Sequence, residues 1–143
     1  MTDATVLIVD DEVGFVEAVA KRLGKRNMSV FKAFNGDEAM TRLAENPGIQ
    51  VVILDMKMPI KDGLTVLQEI KEAYSLVEVI MLTGHATVPT AIEGIQHGAY
   101  DYLMKPCDFE ELNAKILEAV ALKQDHEAEA VDARVSDIAQ RMA

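Results

Sequence analysis

Cysteine occurs once in the 143 residues, as Cys107, so no intrachain disulfide can staple the fold. Such a chain suits a reducing compartment. Basic side chains are also scarce: 14 Lys and Arg stand against 24 Asp and Glu, a net charge of −10. That argues against direct contact with a nucleic-acid backbone and in favour of proteins or small cations as partners. No apolar run approaches the roughly 20 residues that span a bilayer. Met1-Thr-Asp-Ala-Thr5 has neither the basic nor the apolar region of a secretory signal. A cytoplasmic protein without membrane contact is expected. His85, His97 and His126 show no metal-ligand spacing and read as surface residues. Internal repeats and low-complexity linkers are lacking too. What remains is a chain with 50% hydrophobic residues, enough for one domain with a true core and too short for a second.

Within it, Val51-Val-Ile-Leu54 is apolar at every position, runs into Asp55 and is followed by Pro59. Unbroken apolar runs of this length suit strands covered on both faces, as in a parallel sheet flanked by helices. Thr5 to Val9 is a second such strand, ending in Asp10-Asp11-Glu12, and Val77 to Leu82 another, ending in Thr83-Gly84. Ala99 to Met104 ends in Lys105-Pro106, while Met28 to Phe34 is more polar and suits an edge. Between the strands the period turns helical. Phe15, Val19 and Leu23 share one face; Asp37 can cap a helix carrying Ala39, Met40, Leu43 and Ala44; Asp62-Gly63 opens one with Leu64, Leu67 and Ile70; Pro89 starts another that reaches about His97. Asp108 and Glu111 have capping-box spacing before the last helix. Five strands alternating with five helices predict an α/β fold, a doubly wound five-stranded parallel sheet with right-handed crossovers.

After Cys107 there is neither glycine nor proline, so nothing local stops that last helix. Leu117, Ala121, Gln124, Ala128, Val131, Val135, Ile138 and Met142 repeat at heptad spacing, with Ala and Gln weakening the seam. The division expected is residues 1–122 as the domain and 123–143 as a C-terminal helical extension. The extension reads equally as a solvated tail or as a helix that dimerises or meets a partner.

Ligands of such sheets bind at the carboxyl ends of the strands. Asp10, Asp11, Asp55, Thr83 and Lys105 all fall there. Each residue alone has an ordinary reading, as helix cap, turn or strand end; their joint occurrence at one sheet edge is what singles them out. Three neighbouring carboxylates repel one another, and a divalent cation relieves that. Hard oxygen ligands in a partly open site suit Mg²⁺. Asp55 is then a candidate nucleophile for a phosphoryl group, with Lys105, the Thr83 hydroxyl and the Gly84 backbone N–H as donors to its oxygens.

The motifs Val6-Leu-Ile-Val-Asp-Asp-Glu12, Asp55-Met-Lys-Met-Pro59, Met81-Leu-Thr-Gly84 and Ala99-Tyr-Asp-Tyr-Leu-Met-Lys-Pro106, in this order, resemble the receiver domain of bacterial two-component response regulators over about residues 5 to 122. The resemblance implies a flavodoxin-like sheet of order 2-1-3-4-5. It implies Mg²⁺ on Asp10, Asp11, Asp55 and the Lys57 carbonyl, with Asp55 accepting phosphoryl from a histidine kinase, a phosphotransfer protein or acetyl phosphate. It also implies a switch in which Thr83 moves toward the phosphoryl group and Tyr102 turns into the vacated space. The surface of the fourth helix, fifth strand and fifth helix then changes partners or dimerises. A cis Lys105-Pro106 bond belongs to the same pattern, and Lys57 and His85 occupy places that tune how long the acyl phosphate survives. Such a domain catalyses only its own phosphorylation and dephosphorylation. Its output partner is an unnamed protein, with no direct nucleic-acid binding from this chain.

Three rivals are weaker. Haloacid-dehalogenase-type phosphatases carry a second Asp two residues after the nucleophile, where this chain has Lys57. A flavin carrier needs a small, phosphate-tolerant first loop, and Asp10-Asp11-Glu12 would repel the phosphate. A receiver-like scaffold that is never phosphorylated is separable only by experiment.

Overall fold

In the computed structural model, which describes residues 3–85 and 87–142, the continuous apolar runs become the middle of a sheet. Met1, Thr2, Ala86 and Ala143 lie outside the described residues, and with them the outer ends of the 1–122 and 123–143 division. The order of elements is β1 (Ala4–Val9), α1 (Val13–Gly24), β2 (Met28–Ala33), α2 (Gly36–Glu45), β3 (Val51–Leu54), α3 (Gly63–Ala73), β4 (Glu78–Thr83), α4 (Val88–Gln96), β5 (Asp101–Met104) and α5 (Phe109–Met142). All strand pairs are parallel, in the order β2-β1-β3-β4-β5. This is the doubly wound, flavodoxin-like layout that the alternation and the resemblance pointed to.

Strand pleating divides the core. Val6, Ile8, Val51, Ile53, Ile80 and Leu82 face one side, where Val16, Ala20 and Leu23 of α1 and Leu112, Ile116 and Ala119 of α5 cover them. Leu7, Val9, Val52, Leu54, Val79 and Met81 face the other, under Ala39 and Leu43 of α2 and Val66, Leu67 and Ile70 of α3. Strands covered on both faces have no polar position to alternate with, which is why their sequence shows no period. The more polar β2 is indeed an edge.

Helix starts follow capping chemistry. The Asn35 side chain accepts from the Glu38 N–H at 2.8 Å, so Asn35 rather than Asp37 caps α2, Gly36 being already helical. Asp62 caps α3 through the Thr65 N–H at 3.0 Å. Thr87 and Thr90 form a reciprocal capping box at α4. The last helix runs unbroken for 34 residues. Its contacts with the body end near His126, whose Nδ1 lies 3.9 Å from the carboxylate of buried Glu78. His126 is thus not a plain surface residue, because α5 crosses beneath the start of β4.

Candidate functional site

The sheet itself fixes the acidic edge. Ladder hydrogen bonds continue one residue beyond the strands: the Asp10 N–H donates to the Ala33 carbonyl (3.1 Å), the Asp55 N–H to Val9 (3.0 Å) and the Lys105 N–H to Thr83 (2.9 Å). Three candidate side chains are therefore placed by strand geometry, not by loops. Gly63 closes the space behind Asp55. Its N–H donates to the Met56 carbonyl at 2.7 Å, and a Cβ there would lie 2.2 Å from the Asp55 carbonyl oxygen, so only glycine lets α3 begin so close to β3.

Asp10, Asp11 and Asp55 each offer a ligand oxygen, and these lie within 4.8 Å of one another, with Asp10 and Asp55 buried and Asp11 exposed. At an effective dielectric of about 20, two unit charges roughly 5 Å apart repel by about 3 kcal/mol. The two buried acids answer this differently. Both Asp10 oxygens have a partner: Oδ1 accepts the Glu12 N–H at 2.9 Å and Oδ2 the Lys105 ammonium at 2.6 Å, each keeping a lone pair for a cation. Asp55 Oδ1 is buried with no hydrogen-bond partner among the described residues. A buried carboxylate oxygen left unpaired is costly, and such an atom marks a place for a donor or a cation.

Burial pushes the Asp10 carboxyl above its ordinary range; the hydrogen bonds from Lys105 and the Glu12 N–H offset this in part, and the Asp55 charge adds to it. For Lys105, burial pulls the ammonium down, but Asp10, Asp55 and Glu12 together hold it above its usual value. The ammonium also reaches Glu12 at 3.2 Å and stands 4.0 Å from the centroid of the Phe15 ring. Neither Glu12 nor Phe15 stood out in the sequence, Glu12 being hidden in an acid run and Phe15 in a helical stripe.

The remaining candidates sit as follows. Thr83 is wholly buried at the end of β4, and its hydroxyl accepts the His85 N–H at 3.1 Å. Gly84 and His85 are exposed. A Cβ at Gly84 would meet nothing within 4 Å, so no packing contact requires glycine there. Lys57 is exposed two residues after Asp55. The Lys105–Pro106 peptide is cis. Tyr102 is half-buried and turned to α4, its hydroxyl 3.2 Å from the Thr90 hydroxyl and its ring against Gly94. The structure thus brings Asp10, Asp11, Asp55 and Lys105 together, with Thr83 on the next strand, and gives Tyr102 partners on α4. Three converging carboxylates, with Asp55 Oδ1 buried and unpaired and Asp11 exposed, suit a hard divalent cation such as Mg²⁺.

Known proteins share this fold and much of this sequence. The family described as response regulator receiver domain matches residues 6–117. An NtrX-like response regulator of Rickettsia felis is 39% identical over 114 residues, covering 78% of this chain and 24% of that protein. The chain thus spans about a quarter of the length of the curated relatives it matches. A response regulator receiver domain protein from Clostridium thermocellum superposes with a TM-score of 0.81 at 35% identity, covering 85% of this chain and 97% of that one. NtrX from Brucella abortus superposes with a TM-score of 0.80 at 31% identity, covering 96% of this chain and 30% of that one.

Proposed function

The chain belongs to the response regulator receiver domain family, and from that premise we propose that Asp55 is its phospho-acceptor. One observation carries the reading: Asp55 Oδ1 is buried and unpaired beside an Asp10 whose oxygens each have a partner and an exposed Asp11. In the proposed step a carboxylate oxygen of Asp55 attacks phosphorus, the P–N bond to a donor histidine breaks, and the electron pair returns to the imidazole nitrogen. The donor is a sensor histidine kinase or a phosphotransfer protein; acetyl phosphate serves as well, with a P–O bond broken instead.

The chain's own groups do the positioning. Asp10, Asp11, Asp55 and the Lys57 carbonyl hold Mg²⁺, which when bound supplies positive charge against the carboxylates and the phosphoryl oxygens. Lys105, the Thr83 hydroxyl and the Gly84 N–H donate to those oxygens, in the manner that makes positioned charge the main catalytic term in phosphoryl transfer. The new group adds about −1.5 to −2 of charge. Thr83 turns toward it, giving up the His85 N–H, and Tyr102 leaves Thr90 for the vacated space. The α4, β5 and α5 surface, where Ile92, Ile95 and Met104 are already exposed, then gains or loses a protein partner or a second copy. The module works in the cytoplasm without membrane or direct nucleic-acid contact. It catalyses only its own phosphorylation and dephosphorylation. Residues 1–122 form the receiver, and 123–143 a helical tail or linker that offers a second route to a homodimer.

Lys57 and His85 flank the mouth of the site and tune the lifetime of the acyl phosphate. Lys57→Asn is expected to change the dephosphorylation rate modestly, about two- to fivefold, an effect of under about 1 kcal/mol; an unchanged rate removes Lys57 from this role. The main test is intact mass after incubation with acetyl phosphate and Mg²⁺. Wild type is expected to gain one phosphoryl group and Asp55→Asn none, whereas equal gains, or no gain in wild type, overturn the assignment.

A further inference from the structure

The most strained residue near the acceptor has no part in holding it. Between β3 and α3 the Lys61 N–H donates to the Pro59 carbonyl at 2.8 Å, closing a three-residue γ-turn whose central residue, Ile60, has φ 72°. A γ-turn centred on positive φ is the rare, strained form, and a β-branched side chain is among the least suited to that region. Asn27 also has positive φ but is of a type that tolerates it. Packing does not compensate at Ile60, which is 104% exposed.

The surroundings hold the turn in place. On its far side Gly63 is hydrogen-bonded to the Met56 carbonyl and pressed against the Asp55 backbone. The Lys61 ammonium is clamped by Glu69 of α3 at 3.0 Å and 3.2 Å and by Asp37 of α2 at 3.2 Å. Strained backbone persists where neighbours over-determine it, and it clusters at functional places. Here the result is a rigid pedestal that displays a bare isoleucine five residues after Asp55.

We propose that Ile60 is a preformed apolar contact for the protein that delivers the phosphoryl group, an inference that rests on reading Asp55 as the acceptor. A small donor needs only the oxygens and cations of the site. A protein bearing phosphohistidine must lay its own surface over the same edge, and the β3–α3 turn is part of that rim. Because the turn already fixes the backbone, docking has only the isoleucine side chain left to order, and that side chain gains nothing until it is covered.

Glycine tolerates positive φ, so Ile60→Gly relaxes the turn, and the variant is expected to fold with a urea midpoint above wild type. Two donors then separate the roles: acetyl phosphate with Mg²⁺, and whichever phosphorylated histidine kinase labels the wild-type chain fastest in a phosphotransfer profile. The acetyl phosphate rate is expected to stay within about twofold, while kcat/KM for the kinase falls about tenfold or more, the effect of losing one buried isoleucine contact. Ile60→Leu should recover most of that loss. Equal kinase rates in wild type and Ile60→Gly overturn the inference, as does a parallel loss with both donors or a profile in which no kinase labels a chain that acetyl phosphate labels. A wild type that takes no phosphoryl group from acetyl phosphate is instead the failure of the acceptor assignment, and takes this inference with it.

Discussion

The acidic edge of the sheet and the far half of α5 are held in opposite ways. At the edge, Asp10, Asp55 and Lys105 are pinned by ladder hydrogen bonds before any side chain is considered, and their charges are crowded together. From Glu127 to Met142 every residue of α5 is exposed, including Val131, Val135, Ile138 and Met142. Only helix-internal pairs such as Arg141–Asp137 at 2.8 Å support this stretch. A helical segment of this length is marginal in water by itself. Its order is therefore inherited from the first half of α5, where Phe109, Leu112, Ile116, Ala119 and Val120 are buried. The edge is built into the sheet and crowded with like charge, whereas the tail has no buried side chain of its own to hold it.

The largest effect expected from this contrast is at Lys105. Its side chain is 14% exposed and that of Asp10 2%, so Lys105→Met leaves a buried carboxylate without its cation and should destabilise the domain by about 3 kcal/mol. Urea unfolding measures it, and a loss under about 1 kcal/mol would mean that the edge is not tightly paired after all. Somewhat smaller is the gain from Mg²⁺. At a concentration a hundredfold above its Kd, a cation bound only to the folded state stabilises it by about 2.7 kcal/mol. That shift should shrink in Asp11→Asn, which keeps the buried pair intact; an equal shift in both chains would place the ion elsewhere.

The pH dependence is smaller again. Because the folded protein holds the Asp10 carboxyl above the ordinary aspartate value of 3.8, the native state binds this proton more tightly than the unfolded chain does. Ionised Asp10 therefore weakens the fold: its contribution is absent well below pH 3.8, grows as pH rises through the raised folded value, and is complete above it. In chelator, the stability difference between wild type and Asp10→Asn should move against wild type across that window. A flat difference would show that the Lys105 bond fully offsets the burial of Asp10.

The same contrast explains what was legible in sequence. Covered parallel strands carry an unbroken apolar signal, so Val51–Leu54 declared itself, and the acids that follow were placed with it. Boundaries blurred where the signal is weaker: β5 begins at Asp101 rather than Ala99, since the Ala99 N–H turns back to the Gly94 carbonyl of α4 and only Tyr100, through Val79, meets β4. The Asn35 cap, the Glu12 and Phe15 contacts of Lys105, and the Glu78–His126 approach all join residues whose types are common and whose meeting depends on tertiary packing. Positive φ at Ile60 was invisible for a stronger reason. An isoleucine advertises the reverse, and only the surrounding hydrogen bonds impose it. Heptad spacing in α5 was plain, but spacing alone does not say what, if anything, covers the seam.

The smallest expected effect is therefore the most informative about the tail. Ile138 is 46% exposed, and if nothing covers it, Ile138→Ala should change stability by no more than about 0.5 kcal/mol, the usual size of surface substitutions. Deleting residues 127–142 should likewise leave the unfolding midpoint and the acetyl phosphate rate of the body unchanged, because none of those side chains is buried against it. The comparison breaks if the wild-type midpoint rises with protein concentration while that of Ile138→Ala does not. Stability that depends on concentration means a partner subunit, and since the alanine removes only seam surface, that partner would have to be a second copy laid along α5. Sedimentation of both chains across the same concentrations, with and without beryllofluoride, then tells whether the contact belongs to the resting or the phosphorylated form.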